Sequence, residues 1–383
     1  MNVNPSTTVM LSVERSIPRG IRPLRGTLRS TLRVTCSLGA TILLGACGGA
    51  AAPSSAPAAS APAASAKPAA SASAEAIPTA KPGTITIAIV GGSPSFLPIW
   101  IGVDNGLFDK YGAPVQLVTT TAPPAMAALL NGDVHVAMDG GAMIGADPSG
   151  SKLAFIGGLQ NAFNQFVVAA KPGINSLAEL KGHTVGSASP GSAATIAFEV
   201  MLKAAGLDPK TDVKWAYLGT PAAQYAALTA GNIDAGVNAW PYNVLARQGG
   251  FKPLADGKQM KIPGTSLTLG VTRQWVKANP KLVDGFLRAV TESAHIANTD
   301  KSKVMPAMTK HALVPVSDQA VLDEAYERFS GTFPEPPYIT TEAVQEAIND
   351  EPNPAVKSHK PEDYIDNAPL DALVASGFTK QFG

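Results

Sequence analysis

The sequence predicts an α/β protein with two lobes, each built on a mostly parallel sheet that is flanked by helices. The segment at residues 126–141 recurs without a gap at residues 225–240, an offset of 99 positions. Around both copies, strand-like and helix-like runs alternate, and this alternation is typical of parallel sheets covered by helices. In addition, two strand-like runs, Gln165–Ala169 and Ser266–Val271, each lead from one repeat region into the next.

The repeat extends upstream of the segments that define it. Strand-like runs at 85–90 and 114–118 in the first copy correspond to runs at 184–188 and 213–217 in the second. The helix between them ends near Gly106 in one copy and at Gly206 in the other. Single residues keep the offset too, as in Ser93 with Ser192 and Thr121 with Thr220. This constancy favours a structural repeat over a chance likeness between two α/β segments.

The repeat and its flanks suggest domain boundaries. We expect lobe one at residues 83–170 and 267–383 and lobe two at residues 171–266, joined by a two-strand hinge. Hinge closure around a ligand is a known switching mode. The last third of the chain is predicted to be mostly helical, with Asn279 as N-cap and Pro280 as first residue of one helix. The apolar stripe of that helix, which we expect to pack on lobe one, is Val283, Phe286, Leu287, Val290, Ala294 and Ala297.

The N-terminal region predicts secretion and a lipid anchor. Residues 1–46 combine six arginines with an apolar stretch at 34–44 that is too short to span a bilayer. The stretch ends in Leu44-Gly45-Ala46-Cys47, which resembles a bacterial lipobox with Cys47 as the lipidated residue; the alternative is a plain secretory signal. Residues 47–82 are almost only Ala, Pro and Ser, which predicts a disordered tether. Met1 and Met10 are both candidate starts, and the membrane that carries the anchor is left open.

Composition excludes several classes of protein. Both cysteines, Cys36 and Cys47, lie in the leader, so the body has no thiol for a disulfide, a thiolate metal site or a Cys nucleophile. Without residues 1–46 the chain keeps 24 basic and 28 acidic residues, a net charge near −4. Such a chain has no basic surface typical of nucleic-acid binding.

Candidate ligand contacts lie on loops that follow predicted strands. Ligands of open α/β sheets bind beyond the carboxyl ends of the strands, and helix starts there expose unpaired N–H groups to anions. The candidate ligand-binding residues are Ser93, Ser95, Phe96, Asp139, Gly140, Gly141, Gln160, Asn161, Ser189, Gly191, Ser192, Ala193, Thr220, Asn238 and Trp240.

Three of these residues have a structural alternative. Ser192, with the N–H groups of Ala193 and Ala194, could bind an anion or could simply cap its helix. Trp240 could stack on an organic solute or wedge between helices. Asp139 could accept a hydrogen bond from a solute or cap the turn that follows it.

Common catalytic, nucleotide-binding and metal-binding motifs are absent from the sequence. The sequence has no G-x-S-x-G, Walker A, G-x-G-x-x-G or H-E-x-x-H motif, and its five histidines are scattered without metal-ligand spacing. We expect neither a metal nor a cofactor. His135 aligns with Asp234 in the repeat and is expected at the surface. A catalytic pair around His135 and Asp139 is the form that an enzyme would take here.

Three segments carry a resemblance to a known family. They are Ile174–Gly186 (INSLAELKGHTVG), Pro98–Phe108 (PIWIGVDNGLF), and Asn279-Pro280 followed by Phe286-Leu287. Together they resemble the nitrate/sulfonate/taurine and thiamine-precursor (NMT-like) family of solute-binding lipoproteins of ABC importers, from about residue 83 to 366. Glu179 departs from the usual Asp before Leu-Lys-Gly. The candidate loops hold no Arg or Lys, which argues against a phosphate-like ligand.

The resemblance implies a type II-like periplasmic-binding-protein fold with the solute in the interlobe cleft. Among the candidates, it carries over to Ser93, Phe96, Gly140, Gly141, Gln160, Ser189–Ala193 and Trp240. The expected function is extracytoplasmic binding of a small organic or oxoanionic solute, by a lipid-anchored monomer that delivers it to an ABC permease and ATPase. The alternatives are a ligand sensor without transport and a periplasmic enzyme on the same fold.

Overall fold

The computed structural model of the chain describes residues 81–90, 93–311 and 318–382. The predicted signal peptide, Cys47 and nearly all of the predicted tether lie outside the described residues. Within the described ranges, no helix is both long and apolar enough to cross a membrane.

The described strands form two five-stranded sheets, ordered β2-β1-β3-β10-β4 and β7-β6-β8-β5-β9. The strands are β1 (Ile85–Val90), β2 (Val115–Thr120), β3 (Val136–Ala137), β4 (Leu153–Ala162), β5 (Val167–Ala170), β6 (Thr184–Ser187), β7 (Lys214–Tyr217), β8 (Ala235–Asn238), β9 (Lys252–Asp256) and β10 (Pro263–Thr272). β10 in the first sheet and β5 in the second run antiparallel to their neighbours. The prediction of mostly parallel sheets is therefore confirmed, because in each sheet four strands share a direction and the fifth opposes them.

Helices cover the sheets and make up the last third of the described chain, as predicted. They are α1 (Leu97–Asp104), α2 (Leu107–Lys110), α3 (Ala122–Asn131), α4 (Gly140–Ala146), α5 (Ala193–Ala204), α6 (Pro221–Thr229), α7 (Tyr242–Gln248), α8 (Gly257–Met260), α9 (Arg273–Ala278), α10 (Pro280–Thr299), α11 (Lys301–His311), α12 (Gln319–Phe329), α13 (Thr341–Asp350) and α14 (Ala368–Ala375). All six stripe residues predicted for α10 are buried. Asn279 precedes this helix but does not cap it with its side chain, which instead donates to the Trp275 carbonyl at 2.9 Å.

The 99-residue repeat is present in the hydrogen-bond register of the sheets. Ile85 pairs with Val115 between β1 and β2, and Thr184 pairs with Lys214 between β6 and β7, at the same offset. The third strand slips by one residue, because Ile87 pairs with Val136 whereas Val185 pairs with Ala235. The predicted repeat is thus confirmed, with a one-residue shift that a gapless alignment does not show.

Both faces of the first sheet are buried. Along β1, Ile85, Ile87 and Ile89 belong to one apolar core, while Ala88 belongs to another. Successive side chains of a strand point to opposite faces, so a strand covered on both sides is apolar at nearly every position. This burial explains why residues 85–90 are apolar almost throughout.

Two short crossings connect the sheets, at residues 163–166 and 257–262. They hydrogen-bond to each other, because Phe163 N–H donates to the Ile262 carbonyl at 3.1 Å and Gly257 N–H to the Phe166 carbonyl at 2.9 Å. A Cβ on Gly257 would lie 2.1 Å from the Phe163 carbonyl oxygen, so only glycine fits this approach. The crossings therefore form a closely packed ribbon.

The crossings also fix which sheet edges meet. The first leaves the carboxyl end of β4 and enters the edge of the second sheet where β8 ends, because Val167 pairs with Asn238. The second returns to the carboxyl end of β4, because Pro263 pairs with Ala162. The carboxyl ends of the co-directional strands in both sheets thus lie on the side where the crossings run. β5, placed within lobe one by the predicted boundary at 170, pairs in the second sheet; the lobe division itself stays a prediction.

Candidate functional site

Loops from the two sheets meet at the carboxyl ends of β3 and β6. Gly141, in the first turn of α4, lies so near α5 that an added Cβ would be 3.5 Å from Ile196 Cδ1 and 3.7 Å from the Gly191 carbonyl oxygen. Gly140, one residue earlier, approaches Thr265 of β10 still more closely. The structure therefore brings the predicted loops 139–141 and 189–193 together, one from each sheet.

Asp139 occupies the N-cap position of α4. Its carboxylate accepts a hydrogen bond from Ala142 N–H at 3.2 Å. Burial raises the pKa of Asp139, and the hydrogen bond from Ala142 opposes this only in part. The carboxylate therefore has the capping role given as its alternative, and its site disfavours a further negative charge nearby.

The start of α5 is held by hydroxyl groups. Ser192 caps the helix by accepting from Thr195 N–H at 3.3 Å. The Thr195 hydroxyl donates to the Ser189 carbonyl at 2.7 Å and lies 2.7 Å from Ser187 Oγ. Gly191 adopts the left-handed conformation, with φ of 71°, at the turn before the cap. The N–H groups of Ala193 and Ala194, the first two residues of this 12-residue helix, have no intrahelical acceptor and are available to an oxyanion.

Gln160 stands apart from the other candidates because nothing in the described part of the chain hydrogen-bonds to its side chain. It lies near the carboxyl end of β4 and is fully buried, yet among the described residues neither its side-chain nitrogen nor its side-chain oxygen has a hydrogen-bond partner. A buried amide without a partner costs about 1–3 kcal/mol per group. Asn161 differs, since it donates to the Tyr338 carbonyl at 2.8 Å and accepts from Thr340 N–H at 3.2 Å. Gln160 is therefore free to bind a solute, whereas Asn161 already has structural partners.

Asn238 is the last residue of β8, and Trp240 follows the strand at the facing edge. Asn238 is buried and donates to the Gly236 carbonyl at 2.9 Å, but its amide oxygen has no partner in the described chain. Trp240 is 2% exposed and belongs to the apolar core of the first sheet, and its indole N–H donates to the Val321 carbonyl at 3.2 Å. The indole thus occupies the wedge position that was the alternative to solute stacking.

The remaining candidates surround this region with most of their polar groups already engaged. Ser93 accepts from Ser95 N–H at 3.2 Å, and its hydroxyl donates to the Ser95 hydroxyl at 2.9 Å. Phe96 is buried against Trp100 in the same core as Trp240. Thr220 is exposed and caps α6 by accepting from Ala223 N–H at 3.2 Å.

Asn243 was missed by the sequence reasoning. It is the second residue of α7, it is buried, and its side-chain oxygen has no partner in the described residues. Its position shortly after the predicted contacts Asn238 and Trp240 was the available signal.

His135 and Asp234 do not form part of this site. Both precede a strand, and both bind the backbone at the opposite, amino edge: His135 Nδ1 accepts from Thr86 N–H and an Asp234 carboxylate oxygen from Thr184 N–H, each at 2.9 Å. Burial lowers the pKa of His135, which suits a neutral ring that accepts at Nδ1. Asp139 lies four residues further along an extended chain, on the order of 13 Å away. The pair required by the enzyme alternative is thus divided between the two edges.

Asp234 stabilises the second sheet through charge. Burial alone would raise its pKa, but hydrogen bonds from Lys171, Thr184 N–H and His183 outweigh that effect and lower the pKa to about 2. A depressed folded-state pKa contributes stability that is present above about pH 4 and is lost as the pH falls towards 2.

Asp234→Asn is therefore expected to lower the free energy of unfolding at pH 7 by about 1–2 kcal/mol and to flatten its dependence on pH between 4 and 2. Urea unfolding at several pH values measures both effects. Asp212→Asn is the matched control, because this carboxylate pairs with the largely exposed Lys181. A steep acid dependence that survives in Asp234→Asn would contradict the assignment.

Comparison with known proteins identifies similar folds and the family of the chain. The fold resembles the periplasmic aliphatic sulphonate binding protein SsuA of Escherichia coli (22% identity, TM-score 0.58, 70% of this chain and 86% of that one). It also resembles the periplasmic nitrate-binding protein NrtA of Synechocystis PCC 6803 (12%, 0.57, 77% and 89%). A Candida albicans gene product described as having the generic periplasmic binding protein fold is similar too (11%, 0.57, 74% and 96%).

These likenesses confirm the predicted periplasmic-binding-protein fold. The named bacterial neighbours are binding proteins. Among curated proteins, none matches this chain in sequence. Residues 87–310, more than half of the sequence, match the model of the NMT1-like family, and the chain therefore belongs to the NMT1-like family.

Proposed function

We propose that this chain is the extracytoplasmic solute-binding lipoprotein of an ABC importer. It binds a small organic or oxoanionic solute between its two lobes and delivers it to a permease and ATPase. The family membership and the facing carboxyl edges of the two sheets support this function. The sulphonate- and nitrate-binding neighbours favour the sulfonate or nitrate class, and the NMT1-like family membership adds the pyrimidine-precursor class.

The observation that carries the proposal is Gln160. Its side-chain amide is fully buried at the strand end where ligands of this architecture bind, and neither polar atom has a partner among the described residues. Both atoms gain a hydrogen bond once a solute accepts from the nitrogen and donates to the oxygen. Asn238 offers a second unpartnered amide oxygen at the facing edge. The N-terminus of α5 adds N–H donors for an oxyanion. These neutral donors fit a neutral or singly charged solute, and the Gln160 oxygen favours one that also carries a donor group.

Thermal unfolding of the full chain with alkanesulfonates, nitrate and aminopyrimidines tests the proposal. A solute at one hundred times its Kd adds about 2.7 kcal/mol of stability, which raises Tm by several degrees in a protein of this size. We expect Gln160→Leu to remain folded and to lose this increase. Gln345→Leu, on the exposed face of α13, is the matched control and should keep it. A broad solute set that leaves the Tm of the wild-type protein unchanged would refute the proposed function.

The lipid anchor is a separate part of the proposal. We expect Cys47→Ala to move the protein from the membrane fraction to the soluble fraction of expressing cells, because the acylated sulfur is removed. Cys36→Ala is the matched control, since Cys36 lies within the predicted signal and should leave the chain membrane-bound. Fractionation with mass spectrometry of the mature N-terminus measures the outcome. Equal partition of the wild-type and Cys47→Ala proteins would show that lipid on Cys47 does not hold the chain.

A further inference from the structure

The helix α12 contacts both sheets of the molecule in different ways. Its apolar side is buried in the core of the first sheet through Val321, Leu322, Ala325 and Phe329. Asp323 also pairs, at 2.9 Å, with Lys301 of α11, a helix that packs in the same core. Packing and charge thus attach α12 to the first sheet.

The polar side of α12 binds the second sheet and its helices. Arg328 forms a two-pronged pair with Asp256 of β9, at 2.9 and 2.8 Å, and both side chains are mostly buried. Glu324 accepts from both terminal nitrogens of Arg247 on α7. Bidentate pairs between arginine and carboxylate are the strongest and most directional ion pairs in proteins.

The C-terminal end of α12 makes a third connection. Lys258 of α8 donates to the carbonyls of Glu327 and Arg328 at 3.0 and 2.7 Å. The last carbonyls of a helix lack intrahelical partners and carry the negative end of its dipole, so a lysine there is favourable. Trp240 adds its indole bond to Val321 at the other end of the helix. Polar contacts to β9, to α7, to the second crossing and to the residues after β8 therefore extend along the whole length of α12.

We propose that α12 is a latch that holds the two lobes in the closed arrangement without touching the solute. Opening the lobes about the crossings would separate Arg247 of α7 from Glu324, whereas Asp256 directly precedes the second crossing, so its pair with Arg328 holds α12 at the pivot. The latch thereby sets the free-energy difference between the open and closed forms in the absence of solute. The binding free energy of a solute that prefers the closed form adds to this difference. This role takes its purpose from the proposed solute-binding function, but its contacts do not depend on a solute.

A distance measurement without solute tests the latch. Spin labels at Ala127 and Ala226, exposed residues of α3 and α6, report the separation of the lobes in the full chain with Cys36 and Cys47 replaced by serine. Glu324→Arg places two guanidinium groups against each other and is expected to raise the open-to-closed ratio at least about fivefold. The double variant Arg247→Glu/Glu324→Arg restores the ion pair and should restore the wild-type distance.

Asp323→Arg is the matched control for the charge change. This neighbouring residue of α12 pairs with Lys301 of α11, and both helices lie in predicted lobe one. Its replacement should therefore leave the lobe separation unchanged. The latch is overturned if Glu324→Arg leaves the distances as they are, if the double variant fails to restore them, or if Asp323→Arg shifts them equally. Circular dichroism identifies a variant that has unfolded, and Arg247→Lys, which keeps the charge but loses the two-pronged pair with Glu324, then serves as the milder test.

The two proposals fail in different ways. If no solute raises Tm but the charge swap still moves the labels, the latch stands and the solute-binding function falls. If solutes raise Tm while the swaps leave the label distances unchanged, the function stands and the latch falls.

Discussion

Trp240→Ala is expected to lower the free energy of unfolding by about 3–5 kcal/mol, a large fraction of the stability of an ordinary protein. The indole is 2% exposed and belongs to the same apolar core as Phe96, Val244 and Leu322. Its removal leaves a cavity and also removes the indole hydrogen bond to the Val321 carbonyl. Urea denaturation followed by circular dichroism measures the loss.

Two further variants separate packing from hydrogen bonding. Trp240→Phe keeps most of the apolar volume and should cost only about 1–2 kcal/mol, mainly for the lost indole hydrogen bond. Trp215→Ala is the matched control, because Trp215 also donates to a carbonyl, that of Pro209 at 2.8 Å, but lies partly exposed on the edge strand β7. A small loss in Trp240→Ala, together with lost solute binding, would show instead that the indole faces the solute.

Much of the fold could be predicted because its signals are local. Alternating apolar runs and glycine helix ends identify strands and helices, and a constant offset identifies a unit that is built twice. The direction of β5 and β10 could not be predicted, because pairing across a sheet depends on contacts between residues far apart in sequence. The same reason hid the one-residue slip at β3, where Ile87 rather than Thr86 meets Val136.

The site was predictable only as a set of loops. Strand ends and helix starts can be recognised locally, and they led to Asp139, Ser192 and Gln160. Whether a polar side chain is already satisfied depends on partners elsewhere in the chain. Asn161, for example, binds the backbone of Tyr338 and Thr340, which lie 177 and 179 residues away. Sequence reasoning therefore placed Asn161 and Gln160 together, although only Gln160 keeps unpartnered atoms.

Alanine substitutions of the two adjacent glycines at the start of α4 are expected to differ in their effect on stability. A Cβ on Gly140 would lie 2.3 Å from Thr265 Cβ and 2.6 Å from the Thr265 carbonyl oxygen, which is backbone and cannot rotate away. Gly140→Ala should therefore cost about 1–3 kcal/mol through overpacking. Around Gly141 the nearest atoms, Ile196 Cδ1 and the Gly191 oxygen, are at ordinary contact distance. Gly141→Ala should thus keep the wild-type stability.

The second substitution then tests where the solute lies, because its methyl group enters the gap between the loops of the two sheets. We expect Gly141→Ala to weaken solute binding several-fold while the free energy of unfolding stays unchanged. The main effect of Gly140→Ala is instead a lower free energy of unfolding. Urea unfolding and calorimetric titration on both variants measure the two effects separately. A Gly140→Ala protein as stable as the wild type would mean that α4 can move away from β10. Wild-type affinity in Gly141→Ala would place the solute outside the gap, nearer to Gln160 and Asn238 than to the start of α5.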